Sequence, residues 1–521
     1  MTGRHAGVNV PLFSLRSERG WGIGELPDLA TFAGWMAEAR FDRLMLLPLG
    51  TMPHGQTSPY SAVSTLGIDP IFISLPHLPD FEGAGGVAAL SGDARQAIAL
   101  ARQSKVVAYE MVRVAKDEAL RLAFNRFVAD EWLPGTPRAT ELGAYVERER
   151  WWLDDYAIFV ALREAHGRVS WRDWPVGLAA RQPDALAAAR REHARDVLFH
   201  QYAQWVAEGQ WQGARDLARH HGISLFGDLP FVAGTDSPEV WANAGEFRLD
   251  VSAGVPPDAF SATGQDWGLP TYNWEVIATG GYAWHRLRAR RMAALFDGLR
   301  VDHVIGLFRT YGRPPGGEPF FTPARESDQI AQGRAVMRVL AASGLVLIAE
   351  DLGVTPDFVR ESLAALDVPG CKVMRWERDW DAPGAPFFRP ESYAARSAAM
   401  TGTHDTEPLC TWWSTTSEEE RLAFLRVVDN PNDGPSTPPA WSDALRDQFL
   451  RAAYATGSAD LFMPFQDLFG WADRINVPGT VGTHNWTWCL PWTVERLRDL
   501  PEALERAAFL RHLALETRRG A

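Results

Sequence analysis

The sequence predicts an α/β protein whose parallel sheet closes into a barrel, interrupted by a largely helical insertion. Three observations carry this. Short apolar runs alternate with polar loops and helical stretches along most of the chain. At this number of repeats a closed barrel is favoured over an open sheet. Four of the runs end in a carboxylate, Asp228, Asp302, Glu350 and Asp405, and a barrel gathers such ends around one mouth.

The first unit reads strand, turn, helix, strand. Val8 to Leu15 is apolar and extended, and Gly20, Gly22 and Gly24 mark a loop. Leu29, Phe32, Trp35, Met36 and Ala39 recur at helical spacing, and Leu44 to Leu47 is a buried strand stopped by Pro48 and Gly50. The glycine loop lacks the G-x-G-x-x-G spacing. Pro27 stands where a phosphate-binding helix would already be running, so no dinucleotide cofactor is expected there. From Ala88 to about His221 alanine, arginine and glutamate dominate, which predicts helices. The expected plan is 1–87 for the first part of the barrel, 88–221 for the helical insertion, and 222–521 for the rest with its carboxylate-bearing loops.

Beyond the insertion the rhythm resumes. Ile223 to Phe226 leads into Gly227-Asp228-Leu229-Pro230, and a helix with Trp284, Leu287, Met292 and Leu295 on one face leads into Leu299 to His303. A helix over about Gln329 to Ala342 precedes Leu345 to Asp351, and another from Asp357 to Leu366 precedes Lys372 to Met374. Ala398 to Met400 ends in Thr401-Gly-Thr-His404-Asp405. Ala459 to Met463 is the last strand, and Val494 to Leu515 reads helical. Asp429 to Pro439 reads as an exposed loop whose calcium-like pattern fails at Pro431.

The 521 residues include 52 Lys and Arg against 65 Asp and Glu, a net charge of −13. That balance argues against nucleic acid or an anionic membrane as partner and suits a neutral substrate. No apolar run approaches a membrane span, and the N-terminus lacks a signal architecture. Cys371, Cys410 and Cys489 form no CxxC or zinc pattern, so a reducing, cytoplasmic location is expected. Oligomeric state is left open. Tryptophan is unusually abundant, 22 against 10 Tyr. Trp241, Trp267, Trp274, Trp486 and Trp488 sit beside polar residues or glycine, where a flat indole with one N–H matches a sugar ring. Core packing is the competing explanation for any one of them.

A single Asp at a strand end is commonly a helix cap or half of an ion pair. Four together are harder to explain that way, because Arg300 lies two residues before Asp302, on the same side of its strand, and His404 precedes Asp405. The set suits glycosidic bond cleavage with retention, in which one carboxylate attacks the anomeric carbon and a carboxylic acid protonates the leaving oxygen. An Arg beside the nucleophile keeps it charged. A third carboxylate binds the distorted sugar and raises the pKa of the acid.

The segments Leu299-Arg-Val-Asp-His303, Ile348-Ala-Glu-Asp-Leu-Gly353 and Thr401-Gly-Thr-His-Asp405 resemble those of the amylomaltases. These are 4-α-glucanotransferases of glycoside hydrolase family seventy-seven, in the α-amylase clan. The likeness extends to Ser58-Pro-Tyr60, Gly227-Asp-Leu-Pro, Asp236-Ser-Pro-Glu, Gly254-Val-Pro-Pro-Asp258, Ser261-Ala-Thr-Gly-Gln-Asp-Trp-Gly268, Asn476-Val-Pro-Gly-Thr480 and Asn485-Trp. It implies a (β/α)8 TIM barrel with smaller inserted subdomains. It also implies transfer between maltooligosaccharides or other α-1,4-glucans without metal or organic cofactor. Asp302 resembles the nucleophile, Glu350 the acid/base and Asp405 the third carboxylate. Arg300, His303, His404 and Asp228 resemble the polar shell around the cleaved bond. Gln265, Trp267, Asp258, Asn485, Ser58 and Tyr60 fall at glucan-binding positions.

The chain also departs from the family. Thr406-Glu407-Pro408 replaces the usual Asn-Asp-Thr, Arg375-Trp-Glu-Arg378 replaces Gln-Phe-Ala-Phe, and Ala259, Cys489 and His54 replace Tyr, Arg and Tyr. Those positions bear on chain-length preference and on transfer against hydrolysis. An α-glucan hydrolase or cyclising enzyme with the same carboxylates is the alternative, and a non-catalytic glucan-binding protein a further one.

Overall fold

The computed structural model describes residues 3–257, 263–428, 436–480 and 482–520. Eight parallel strands close into a barrel. They are β1 His5–Asn9, β2 Arg43–Met45, β3 Ser224–Leu229, β4 Gly298–Val301, β5 Val346–Ala349, β6 Gly370–Val373, β7 Ser397–Met400 and β8 Asp460–Pro464. Each strand pairs with its neighbours in sequence, and β8 closes on β1. The first strand is shorter than the sequence suggests. It ends at Asn9, and Leu12–Ser14 form a 3-10 turn, because Pro11 has no N–H to give to a ladder.

The helices include α1 Asp28–Glu38, α2 Tyr109–Phe127, α3 Pro137–Ala165, α4 Ala194–His220, α5 Ala283–Leu295, α6 Glu326–Ala341, α7 Asp357–Ala365, α8 Asp443–Ala455 and α9 Pro501–Thr517. The spacing read from Leu29 to Met36 produces α1, which buries Leu29, Phe32, Ala33, Trp35 and Met36. The β6–β7 connection carries no α-helix, only 3-10 turns at Met374–Trp376 and Pro390–Ser392. Pro383, Pro386 and Pro390 in that stretch deny a helix its donors.

The barrel interior is filled by Met45, Phe226, Ile348, Cys371, Val373, Ala398, Met400 and Phe462. At its N-terminal end Arg43 is paired with the buried Asp460. The core is therefore plugged below, and polar residues collect at the C-terminal ends. Two small antiparallel sheets rise from the loops there. One pairs Gly50–Thr51 with Ser64–Ile68, and the other joins Phe247–Val255, Gln265–Tyr272, Thr310–Arg313 and Phe320–Thr322.

Between β2 and β3 the chain is mostly helical. Its last helix, α4, packs on α1 and runs into β3, so it belongs to the outer ring of the barrel. Buried ion pairs fasten α2 to the barrel loops. Arg113 forks onto the Asp69 carboxylate at 2.8 and 3.3 Å. Lys116 Nζ donates to Glu25 Oε1 and to the Ile73 carbonyl, both at 2.8 Å, with Lys116 and Glu25 side chains each 1% exposed. Removing one partner strands the other charge in the interior. Lys116→Met is expected to cost ~3–5 kcal/mol in urea unfolding, most of it recovered by adding Glu25→Gln. A loss below about 1 kcal/mol would show that water reaches the abandoned carboxylate.

Four of the five loop tryptophans turn out to be core residues. Trp241, Trp274, Trp486 and Trp488 are 1%, 6%, 7% and 6% exposed. Trp267 alone stays partly exposed. Among the described residues no helix is long and apolar enough to cross a membrane.

Candidate active site

The strand register assembles the mouth. Asp228 on β3 lies opposite Arg300 on β4, and Val301 on β4 lies opposite Ala349 on β5. One step further along, Asp302 and Glu350 therefore leave adjacent strands at the same height. Arg300 Nη1 bridges two carboxylates, 2.6 Å from Asp228 Oδ2 and 2.9 Å from Asp302 Oδ1. Burial works to lower the Arg300 pKa, but Asp228 and Asp302 raise it well above its usual value. The cation is permanent, and it pairs with both carboxylates.

Glu350 is held from the other side. The His303 backbone N–H donates to Glu350 Oε2 at 2.7 Å, and His303 adopts a left-handed φ of 45° to aim it. Gly306 makes room for this turn, since a Cβ there would stand 2.6 Å from the His303 ring and 2.7 Å from Phe231. Burial pushes the Glu350 carboxyl up to about 8; Arg300 pulls it down, and Asp302 pushes it further up. At neutral pH it carries a proton to give. Burial takes the His303 imidazole down to about 4, so its ring is neutral. That ring meets Phe231 and Trp267 edge-on, at centroid distances of 5.6 and 4.9 Å.

Tyr60 closes the opposite wall. Its hydroxyl donates to Asp228 Oδ2 at 2.7 Å and lies 3.1 Å from His404 Nε2. Its ring stacks on His404 with centroids 5.4 Å apart, and Trp486 backs both rings. Asp228 Oδ1 is buried without a hydrogen-bond partner among the described residues. Asp405 is more open than Asp302 or Asp228, its side chain 42% exposed against 24% and 1%. It accepts from Asn476 Nδ2 at 2.6 Å and sits 3.4 Å from His404 Nε2.

The structure thus brings together Asp228, Arg300, Asp302, His303, Glu350, Tyr60, His404 and Asp405. Ser58 acts at one remove, its Oγ accepting from the Tyr60 N–H at 3.3 Å and setting the turn. Gln265 and Trp267 share one strand, with Trp267 Nε1 donating to Gln265 Oε1 at 3.2 Å. Asn485 is placed differently from expectation. It is 3% exposed, and its amide is spent on Val477 N and on Thr480 O and Oγ1. Its work in this structure is to hold the segment that presents Asn476. Asp258, like Ala259, lies outside the described residues. The sequence reading passed over Asn476 and Arg474 as individual residues. Asn476 opens a recognised block, yet nothing in its spacing announces that its side chain reaches Asp405. Among the described residues no group of three or more His, Cys, Asp or Glu is arranged to hold a metal ion.

A closed parallel barrel with a carboxylate-lined mouth, bridged by a buried arginine, defines a barrel enzyme acting on a polar, hydroxyl-rich substrate. The model of the 4-alpha-glucanotransferase family matches residues 10–494, and the chain belongs to that family. Similar proteins include the 4-alpha-glucanotransferase of a Synechocystis species, 34% identical over 505 residues and 93% of each chain. Another is that of Chlamydia muridarum, 30% identical over 94% of this chain and 92% of the relative. Among solved structures, an amylomaltase from Streptococcus agalactiae in complex with acarbose aligns with a TM-score of 0.84 at 28% identity, covering 99% of this chain and 100% of that one. The chain is accordingly a transferase of the 4-α-glucanotransferase class.

Proposed function

We propose that the enzyme moves a 4-α-glucanosyl segment between α-1,4-glucans by double displacement at Asp302. The observation that carries this reading is the opposed pair: Asp302 ion-paired to Arg300 at 2.9 Å, Glu350 held protonated across from it. Neighbouring strands stand about 4.8 Å apart, which supports the separation of about 5–5.5 Å that a retaining pair uses. Asp302 attacks the anomeric carbon while Glu350 gives its proton to the departing glycosidic oxygen. In the ester that results Asp302 has lost its charge, and with it the repulsion that adds to burial in raising Glu350. Glu350 thereby becomes a carboxylate suited to take the proton of an incoming 4-OH. Asp405, its side chain 42% exposed, receives the hydroxyls of the distorted sugar.

Incubation with maltotriose tests the reaction. Transfer gives a ladder of longer and shorter maltooligosaccharides; glucose and maltose alone would mean hydrolysis. Trp267, against His303 at the rim, is the group placed to keep water from the intermediate and to seat the acceptor. Trp267→Ala removes an aromatic contact of about 0.5–1.5 kcal/mol. It is expected to raise the acceptor KM about three- to tenfold and to enlarge the glucose fraction. An unchanged product ratio would take Trp267 out of the acceptor side.

The helices of residues 88–221, apart from α4 in the outer ring of the barrel, are inferred to buttress the mouth. Tyr109 donates to the Trp486 carbonyl at 2.8 Å, Val107 N to Thr487 O at 2.7 Å, and Glu110 accepts from Gly55 N at 3.0 Å. These contacts support the loops that carry Tyr60 and Trp486. Three unpaired cysteines support a reducing, cytoplasmic setting.

A further inference from the structure

Two stretches in which the chain departs from its family, Arg375–Arg378 and Thr406–Pro408, come together in space. Arg375 has a buried side chain, 1% exposed, beneath the loop that carries His404 and Asp405. Its Nη1 donates to the Glu407 carbonyl at 2.8 Å and to Glu407 Oε1 at 3.3 Å, and its Nη2 donates to the Thr401 carbonyl at 3.0 Å. Its guanidinium lies over the Trp412 ring, 5.3 Å from the centroid. The other Glu407 oxygen, Oε2, faces Arg474 Nη1 at 3.6 Å. Arg474 Nη2 donates to the Asp405 carbonyl at 2.6 Å, and its Nε donates to the Asn476 carbonyl at 2.7 Å. Asp467 pins both ends of the same loop, accepting from Thr401 Oγ1 and Leu409 N at 2.6 and 2.8 Å.

We propose that Glu407, gripped between Arg375 and Arg474, is a clamp that fixes the position of Asp405 at the mouth. Neither arginine touches the Asp405 carboxylate. Between them they bind the carbonyls of Thr401, Asp405 and Glu407, that is, the backbone on both sides of it. Arg375 supplies the fork that a neutral Gln lacks. Glu407 is one methylene longer than the usual Asp, and it spans the two cations. Arg375 and Glu407 are therefore positioning residues. The proposal rests on the role given above to Asp405.

The test is a cycle of Arg375→Gln, Glu407→Gln and the double variant, assayed on maltotriose with thermal unfolding alongside, plus Arg375→Lys and Asp405→Asn. Misplacing a catalytic group by about 1 Å costs about 100-fold. Arg375→Gln is expected to lower kcat by roughly 10- to 100-fold with KM within about twofold, as for a contact that matters in the transition state. The double variant is expected to match the worse single one within about threefold, because neighbours in one network do not add. Arg375→Lys is expected to fall between Gln and wild type, since an ammonium keeps the charge without the fork. Should Arg375→Gln fail to fold, Glu407→Gln at the half-exposed partner carries the same kcat and KM reading. Single effects that multiply, or an inactive Asp405→Asn beside a fully active Arg375→Gln, overturn the clamp alone. An active Asp405→Asn overturns the role of Asp405 and this proposal with it.

Discussion

Asp302→Asn is expected to lower transfer by ~10⁴-fold or more, the scale seen when a nucleophile is removed from a catalytic unit. The substitution is isosteric, and the amide oxygen still accepts from Arg300. Arg300 also keeps its bond to Asp228 at 2.6 Å, so the mouth retains its shape. What is lost is the negative charge that, in the proposed mechanism, bonds to the anomeric carbon. Glucan binding, measured by calorimetry with maltooligosaccharides, is therefore expected to survive while turnover disappears. Asp302→Ala with added azide gives a sharper readout. A small anion entering the vacated space yields a β-configured glycosyl azide, which no purely structural role for Asp302 would produce. A variant that kept roughly a tenth of the wild-type rate could not have lost its nucleophile.

The carboxylates were legible because a parallel barrel obeys a simple rule. A strand reads as an apolar run, and the residue just beyond its end faces the mouth. Asp228, Asp302, Glu350 and Asp405 each follow such a run, and each reaches the site. Arg300 was legible through the two-residue period of a strand, which places it under Asp302. The tryptophans were not legible: polar neighbours suggested exposed rims for Trp241 and Trp274, but both rings turn into the core. Local sequence does not say which way a loop side chain points. Asn485 shows the same limit. Its block was recognised, yet its amide closes a turn rather than facing the cleft. The Arg375–Glu407 contact lies further still from any local signal, because the partners sit on different barrel connections and meet only after closure.

Glu350→Gln is expected to lower kcat on maltooligosaccharides by ~10²–10⁴-fold, the usual contribution of a positioned general acid. The loss should depend on the leaving group. A donor that departs without a proton, such as a glycosyl fluoride, is expected to restore formation of the intermediate but not its transfer, since Gln cannot take the acceptor's proton. The pH dependence gives the same residue a second, independent signature. Because the Glu350 pKa is raised to about 8, the rate of the wild-type first step falls as pH rises through that value, and Glu350→Gln should lack this alkaline limb. The same shift predicts a stability effect of definite sign. A group that binds its proton more tightly when folded stabilises the fold below its unfolded pKa, here near 4.5, and the contribution is lost as pH rises through about 8. The neutral Gln has no proton to lose. The Tm of Glu350→Gln relative to wild type is thus expected to increase from pH 5 to pH 9. A constant Tm difference over that range, together with an alkaline limb preserved in the variant, would mean that another group supplies the proton.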